Sequence, residues 1–335
     1  MEPIKAFSWA VATAFATGMS IQTPLLAAQR DAAGNFPTKP VRIIVPNTAA
    51  GATDIIARLL QARLNELWGQ PVVVDNRPGA SGTIGFELTA KAPLDGHTLM
   101  ASSVSMIVVE TTMAKTLSVR PSRDLAGITS VMEIPHLLVA SGAVPALSAR
   151  ELVEYAKNTG TRLNYAISGF GTYTHLDALR FQKAAGIELT IVPYKGGAGQ
   201  FVSAIIGNEA QVALVNMASS IAHVRTGKMK ALATTWPTRR PELPETPTMA
   251  ESGFPGIGTN AWNGLFVAAG VPQPLLNRIH ADVVKVMDTP SMKEQLAKQY
   301  MSVVLSKSPA DFAEFLREET KKWRQVVVEN KITVE

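Results

Sequence analysis

The chain has 335 residues and is 46% hydrophobic, enough for two domains with packed cores, which excludes a disordered chain. Its net charge is +5, but the lysines and arginines are scattered, whereas nucleic-acid binding usually needs a concentrated basic stripe with aromatic residues. We therefore expect no nucleic-acid partner. The sequence contains no cysteine, which excludes disulfides, thiol catalysis and a cysteine-linked lipid anchor, and suits an exported protein stabilised by its core.

Residues 1–28 resemble a secretory signal peptide. An apolar, uncharged stretch at 6–16 follows Lys5, and small residues precede the polar segment that begins at Gln29. A membrane anchor is the alternative interpretation, but serine, threonine, glycine and proline interrupt the stretch, and large aliphatic residues are few. We expect export and cleavage near Ala28.

From residue 41 onward, β-rich runs alternate with amphipathic helical segments, which is typical of parallel βαβ units. The first set predicts strands and helices at 41–46, 53–68, 71–75, 83–92 and 97–102. The second set predicts further helices and strands at 149–157, 163–167, 174–185, 189–193, 198–206 and 211–215.

The remaining segments connect or complete these two sets. An extended apolar stretch at 125–139 is a candidate crossing between domains, and a proline-rich connector spans 237–255. After the connector the pattern predicts a strand and three helices, at 264–267, 272–287, 291–300 and 308–329. If these elements return to the first domain, the chain crosses between domains at each passage, and such a pair of domains can hinge around a ligand.

The loop between the first strand and the first helix is a candidate anion cradle. Its small residues let the backbone approach a ligand, and the first N–H groups of the helix lack internal partners. The loop consists of Asn47, Thr48, Ala49, Ala50, Gly51, Ala52, Thr53 and Asp54. We interpret Asp54 as a partner of loop amides or of the helix N-terminus rather than as an acid or base. An ordinary βα turn that binds nothing is the alternative.

A second loop repeats the order of strand, glycine-rich turn and helix. It consists of Ser168, Gly169, Phe170, Gly171 and Thr172. Two helix N-termini facing one cleft would hold an anion from both sides. As a dinucleotide fingerprint the motif fails, because Thr174 stands where the third glycine belongs. Here too, the alternative is an ordinary turn.

Enzyme and metal signatures are absent from the sequence. The segment 79–85 lacks the Gly-Lys-Ser/Thr ending of a phosphate loop, and we interpret it as a tight turn with Ser81 or Thr83 near a helix cap. The five histidines show no metal-ligand spacing, so we expect neither a metal nor a cofactor. His175 is interpreted as a hydrogen-bonding partner of the second loop; an enzyme using Ser168 and His175 is the disfavoured alternative.

Several motifs, in order along the chain, resemble the Bug family, the substrate-binding proteins of tripartite tricarboxylate transporters. They are FPTKPVRIIVP (36–46), GATD (51–54), VVDNRPGASGTIG (73–85), PLDGHTL (93–99), GFGT (169–172) with His175 and Leu176, VPYKGG (192–197) and LPETPTMAE (243–251). The resemblance covers essentially the whole chain after residue 28.

The resemblance implies an α/β two-domain periplasmic binding protein, type II-like, with a mainly parallel sheet flanked by helices in each domain. Domain 1 would comprise 37–136 plus 261–335 and domain 2 would comprise 137–260, with the ligand cleft between them. The implied function is that of a periplasmic solute receptor, not an enzyme, which holds a small carboxylate and delivers it to integral-membrane transporter subunits. A sensor that presents its ligand to a membrane histidine kinase is the alternative, and we expect a monomer.

Carried over by position, the resemblance implies ligand contacts from the two loops, 47–54 and 168–172, and from Ser102 and Ser103. The chain departs from the family at several of these positions: Asn47 replaces a common aromatic residue, and Ala50 replaces a glycine. Ile167 and Phe170 stand where smaller or polar residues are usual, which predicts a narrower or more apolar cleft. An aromatic or partly apolar carboxylate is therefore favoured over citrate.

Overall fold

The computed structural model describes residues 34–194, 198–330 and 332, so the predicted signal peptide lies outside the described residues. The first run of elements is β1 (Val41–Val45), α1 (Ala52–Trp68), β2 (Val72–Asn76), α2 (Thr83–Ala90), β3 (Thr98–Ser103), α3 (Ser105–Met113), α4 (Pro121–Asp124) and β4 (Leu125–Ile134). The second is β5 (His136–Ser141), α5 (Ala149–Thr159), β6 (Leu163–Ile167), α6 (Tyr173–Ala185), β7 (Leu189–Pro193), α7 (Ala198–Ile206), β8 (Val212–Asn216), α8 (Met217–Arg225) and β9 (Met229–Thr234). The last is β10 (Ala261–Ala268), α9 (Gln273–Met287), α10 (Pro290–Lys298), β11 (Ser302–Val303) and α11 (Pro309–Glu329).

These strands form two sheets, one in each domain. Among the described residues, the first sheet has the order β11-β4-β10-β3-β1-β2 and the second has the order β7-β6-β8-β5-β9. The chain passes from the first sheet to the second between β4 and β5 and returns at β10. The two-domain α/β fold is confirmed, whereas the exact domain boundaries stay a prediction.

Both sheets are mixed, which corrects the expectation that they are mainly parallel. In the first sheet β1 runs parallel to β2 and β3, but β10 is antiparallel to β3 and β4, and β11 to β4. In the second sheet β6 runs parallel to β7 and β8, but β5 is antiparallel to β8 and β9. The parallel pairs come from βαβ units. The crossing strands β4, β5 and β10 are not delivered by such units, so the connection does not impose a parallel direction on them.

The predicted helices and strands that fall on described residues are present, with ends that differ by a few residues. In α1, Ile56, Leu60 and Leu64 are fully buried on one face, as helical spacing requires, and the helix ends at Gly69 in a left-handed conformation (φ 61°). Helices α3, α4 and α8 and the short strand β11 were not predicted. In α3 five successive residues are buried, so the segment lacks the polar face that marks an amphipathic helix.

The helices cover the sheets and form the cores. One hydrophobic core surrounds the first sheet, whereas the second sheet has a core on each face, one with residues of α5 and α6 and one with residues of α7 and α8. Within the described part of the chain, no helix is both long enough and apolar enough to cross a membrane.

Candidate functional site

Four helices direct their N-termini into the cleft between the domains. Helices α1 and α3 follow β1 and β3, which are neighbours in the first sheet, and α6 and α8 follow β6 and β8, which are neighbours in the second. Residues at or next to all four N-termini, Ala52, Ser105, Tyr173 and Asn216, line one cavity. The helix dipole places about half a positive charge at each N-terminus, so the cavity favours an anion from both sides. Some of the first N–H groups are already paired: Met217 donates to the Pro135 carbonyl and Ser105 to Ser103 Oγ.

This cavity, which we call the head cavity, is small and polar. Its volume is ≈ 60 Å³, about that of two water molecules, and thus suits a single carboxylate group. Its polar lining consists of Asn47, Thr53, Ser103, Ser105, His136, Ser168, Tyr173, Thr174, Asn216 and Asn263. Among the described residues, no Asp, Glu, Lys or Arg lines it.

A larger chamber, which we call the tail cavity, adjoins the head cavity. Its volume is ≈ 620 Å³, and it shares Asn47, Ser105 and Ser168 with the head cavity. Much of its wall is apolar, with contributions from Pro46, Met113, Leu117, Val119, Phe170 and Pro193. Polar side chains, among them Glu87 and Thr116, complete its lining. The two cavities together offer a polar site for a small head group and a larger, partly apolar space for the rest of a ligand.

Asp54 holds the loop of residues 47–54 in shape. One carboxylate oxygen accepts the Ala50 N–H (2.9 Å) and Arg58 Nε (2.9 Å), and the other accepts Asn76 Nδ2 (2.9 Å). Asn76 Nδ2 also lies 3.1 Å from the Asn47 carbonyl oxygen. Burial alone would raise the pKa of Asp54, but these hydrogen bonds outweigh burial and lower the pKa below its ordinary value of 3.8. Asp54 therefore positions the loop while Arg58 balances its charge.

Three hydroxyl groups in the second loop and at the start of α6 form hydrogen bonds with one another. Ser168 Oγ lies 3.2 Å from Thr172 Oγ1 and 2.8 Å from Thr174 Oγ1, and the two threonine hydroxyls are 2.9 Å apart. The Ser168 N–H also donates to Thr174 Oγ1 (3.0 Å). The Ser168 hydroxyl is therefore engaged with threonines, which does not support its activation by His175.

His175 supports the second loop, as predicted. Its Nδ1 accepts the Gly171 N–H at 3.2 Å, and Phe170 packs edge-on against its ring. Burial lowers the pKa of His175 to about 4, so the ring is neutral near pH 7 and Nδ1 remains an acceptor.

His136 and Tyr173 form a buried pair that lines the head cavity. His136 Nε2 and Tyr173 Oη are 2.8 Å apart, and the rings pack edge to face. Burial lowers the pKa of His136 to about 4 and raises that of Tyr173 well above its ordinary value, so both groups are neutral near pH 7.

The structure divides the residues predicted from the sequence into three groups. Asn47, Gly51, Ala52, Thr53, Ser103 and Ser168 line the head cavity, and Gly169, Phe170 and Thr172 line the tail cavity. In the described part of the chain, neither lining includes Thr48, Ala49, Ala50, Asp54, Ser102 or Gly171.

One sequence interpretation needs correction. Ile167 is fully buried in the second domain's core and so does not narrow the cleft. The expected tight turn and helix start are present, with Ser81 and Thr83 on either side of the N-cap residue Gly82, although neither side chain makes a capping hydrogen bond. Ser81 instead donates its hydroxyl to a carbonyl of the other domain.

Sequence reasoning missed several residues of the head cavity. Asn216 ends β8 and caps α8 by accepting the Ser219 N–H (2.9 Å), a preference of asparagine that a local signal could have revealed. Asn263 had no local signal, because it comes from the returning strand β10 and reaches the site by accepting the Thr53 hydroxyl (2.7 Å).

The fold and this cleft define a two-domain solute-binding receptor. A family model described as "Tripartite tricarboxylate transporter family receptor" matches residues 56–332. The chain belongs to this family.

Known proteins support the assignment. BugT of Bordetella pertussis is 30% identical over 313 residues, covering 93% of this chain and 95% of BugT. Two solved structures from Rhodopseudomonas palustris are also similar. MatC with bound malate has a TM-score of 0.80 at 29% identity, covering 87% of this chain and 100% of MatC. A protein with adipate has a TM-score of 0.84 at 30% identity, covering 89% of this chain and 99% of that protein.

Replacing Asp54 by Asn should destabilise the protein by about 1–3 kcal/mol at pH 7, because the amide replaces one acceptor oxygen by an NH2 donor that faces the existing donors. The folded pKa of Asp54 lies below 3.8, so its stabilising contribution is complete above that pH and disappears as the pH falls through the folded pKa. Urea unfolding at several pH values measures this difference. Glu66→Gln on the same helix, where the side chain is 71% exposed, is the control and should change stability by less than about 0.5 kcal/mol. Equal effects of the two substitutions would contradict the role given to Asp54.

The stability of the protein should fall as the pH is lowered from 6.5 to about 4. In this range the unfolded chain protonates histidines that stay neutral in the fold, since the pKa of His136 and of His175 lies near 4. Each contributes at most ~3 kcal/mol. His175→Asn keeps a neutral acceptor for Gly171 and should reduce the pH slope of the unfolding free energy. An unchanged slope would mean that His175 is not held neutral.

Proposed function

We propose that this protein is a periplasmic receptor that binds a small carboxylate in the head cavity and delivers it to the membrane subunits of its transporter. The observation that carries the proposal is the convergence of four helix N-termini on a cavity of carboxylate size. The family model and the carboxylates held by the similar solved structures support the same ligand class.

The head cavity would recognise a carboxylate through neutral donors. The side chains of Asn47, Ser103 and Asn216 supply amide and hydroxyl groups, and the helix N-termini supply backbone N–H groups. Such donors satisfy the carboxylate oxygens and favour their charge through the helix dipoles. A neutral ligand of the same shape would gain less, so the site should select for an anionic head group.

The tail cavity would select the remainder of the ligand. Apolar side chains such as Met113, Leu117 and Phe170 face a chamber much larger than the head cavity. An aromatic or partly apolar carboxylate would bury its body there, at about 25 cal/mol per Å² of apolar surface. Citrate would place two further carboxylates against this wall. We therefore propose an aromatic or partly apolar acid as the ligand.

One chain would suffice for binding, because both walls of the cleft belong to it, and we therefore expect a monomer. The residues proposed to contact the ligand are Asn47, Gly51, Ala52, Thr53, Ser103 and Ser168 at the head, and Gly169, Phe170 and Thr172 along the tail.

Thermal unfolding with a ligand panel tests this function. The panel comprises benzoate, phenylacetate, adipate, malate and citrate, with benzamide as the neutral counterpart of benzoate. Any ligand that was co-purified is first removed by unfolding and refolding. A ligand at a hundred times its dissociation constant adds about 2.7 kcal/mol, which corresponds to a rise of about 4 °C in the melting temperature of a chain of this size. We expect the rise with an aromatic carboxylate and none with benzamide. No shift with any of the carboxylates would contradict the proposal.

Two neighbouring serines on β3 provide a matched pair of variants. Ser103 lines the head cavity, whereas Ser102 is buried and lines neither cavity in the described chain. Ser103→Ala should weaken carboxylate binding by about 3- to 10-fold, the value of one neutral hydrogen bond. Ser102→Ala should leave it unchanged. Titration calorimetry with the carboxylate that gives the largest shift measures both, and equal affinities would place the head group elsewhere.

A further inference from the structure

The turn at residues 79–82 has an unusual backbone. All four residues have positive φ: 123° at Gly79, 46° at Ala80, 54° at Ser81 and 96° at Gly82. For alanine and serine this conformation costs roughly 1–2 kcal/mol each. Strain of this kind persists where surrounding contacts enforce it, and it is common at ligand clamps and switch regions.

The strained turn carries a contact between the domains. The Ser81 hydroxyl, in the first domain, donates to the Phe170 carbonyl oxygen of the second loop at 2.8 Å. The next carbonyl of that loop, at Gly171, lies 3.0 Å from the hydroxyl of Thr112 on α3. Two successive carbonyl oxygens of the second domain thus each accept a hydrogen bond from a hydroxyl group of the first domain.

The glycines of the second loop make this approach possible. A Cβ built at Gly169 would lie 2.9 Å from Ser81 Oγ. A Cβ at Gly171 would lie 2.7 Å from Thr112 Oγ1 and 3.1 Å from Met113 Sδ. Both glycines are therefore needed for contact with the other domain, in addition to their positive φ values.

We propose that Ser81, assisted by Thr112, is a positioning residue that latches the second loop onto the first domain and sets how fast a bound ligand leaves. The proposal rests on the proposed function, since it takes the second loop to be one wall of the ligand cleft. Ser81 also lines the tail cavity, but its hydroxyl donates to the Phe170 carbonyl, so the latch acts through the second loop.

The two hydroxyls contribute unequally. Thr112 Oγ1 also lies 2.8 Å from the Val108 carbonyl oxygen of its own helix, so its proton keeps an acceptor when the cleft opens. Ser81 Oγ has its hydrogen bond across the cleft, to Phe170. Ser81 should therefore contribute more than Thr112 to holding the cleft closed.

Ligand dissociation rates test the latch. With benzoate or adipate as the probe, whichever binds, Ser81→Ala should raise the dissociation rate by about 3- to 10-fold, the effect of losing one neutral hydrogen bond. Thr112→Val should raise it by about 2-fold or less, and Thr112→Ser should restore the normal rate. The thermal stability of the ligand-free protein should change little. A dissociation rate in Ser81→Ala equal to that in Ser102→Ala would overturn the proposal.

A pair of glycine variants separates the latch from backbone strain. Gly160 has φ 64° and nothing within 4 Å of a built Cβ, whereas Gly171 has φ 76° and faces Thr112. Alanine should therefore destabilise the folded backbone similarly at the two sites. Only Gly171→Ala should also increase the dissociation rate, by more than Ser81→Ala does. Equal dissociation rates in the two glycine variants would contradict the contact between domains.

A disulfide trap tests the contact without any ligand. A Cβ built at Gly169 lies 3.7 Å from Ser81 Cβ, close to the mean of about 3.8 Å in disulfides. Because the sequence has no cysteine, the double variant Ser81→Cys, Gly169→Cys has a single possible intramolecular pair. Mild oxidation should cross-link it within one chain, detected by loss of two free thiols without dimer formation.

The trap also distinguishes the latch from the proposed function. Cross-linking without any carboxylate binding would retain the contact between the domains and reject the proposed carboxylate ligand. Carboxylate binding to the unmodified protein, with no cross-linking in the double variant, would retain the receptor and overturn the latch. Where both hold, the cross-linked protein should release a trapped probe far more slowly than its reduced form.

Discussion

An anion that leaves water for this cleft meets helix N-termini and neutral hydrogen-bond donors, with no charged side chain among the described residues that line the head cavity. Without a counter-charge, many donors must converge on one point, because each neutral hydrogen bond contributes only about 1 kcal/mol net. Convergence of four helices requires that their preceding strands end side by side. The parallel pairs β1/β3 and β6/β8 meet this requirement, one in each sheet.

The same constraint explains why the site lies where the chain crosses between the two domains, at β4, β5 and β10. The head cavity is lined by Ile134 and His136, where the chain leaves the first domain, and by Ala261 and Asn263, where it returns. Asn263 accepts the hydroxyl of Thr53 at the start of α1, so the returning strand fixes the helix end that faces the ligand. A displacement of the crossing strands therefore also moves the groups that would hold the carboxylate.

Much of this architecture could be predicted from local sequence patterns. The strand and helix of each βαβ unit have their own periodicity, and the loops at 47–54 and 168–172 have a composition that marks close backbone approach. Sheet direction at β4, β5 and β10 was not predictable in this way, because it depends on pairing with distant strands. Helix α3 lacked an amphipathic signal, since it is buried along most of its length. Its N-terminal Ser105 was consequently missed.

The site residues likewise divide into those with a local sequence signal and those without one. Loop residues such as Gly51 and Ser168 were identified because glycine, serine and threonine between a strand and a helix have a local meaning. His136 and Asn263 lie on buried strands, where the sequence predicts a core position and gives no reason for a polar group. Their function becomes apparent only when the two crossings are seen to meet. Asp54 shows the complementary case: its acidic side chain next to an anion site is explained by Arg58, Asn76 and the Ala50 N–H, which all bind its carboxylate.

Closure and release impose opposing requirements on such a cleft. A buried ion pair to the ligand would have to be broken at each delivery, and leaving one charge buried without its partner costs several kcal/mol. Neutral donors avoid this penalty, since the departing ligand leaves no unpaired charge behind in the site. The closed state then needs stabilisation that is independent of the ligand's charge. Hydrogen bonds from Ser81 and Thr112 to the carbonyls of Phe170 and Gly171 have this property, because they join the two domains directly and are lost together when the domains separate.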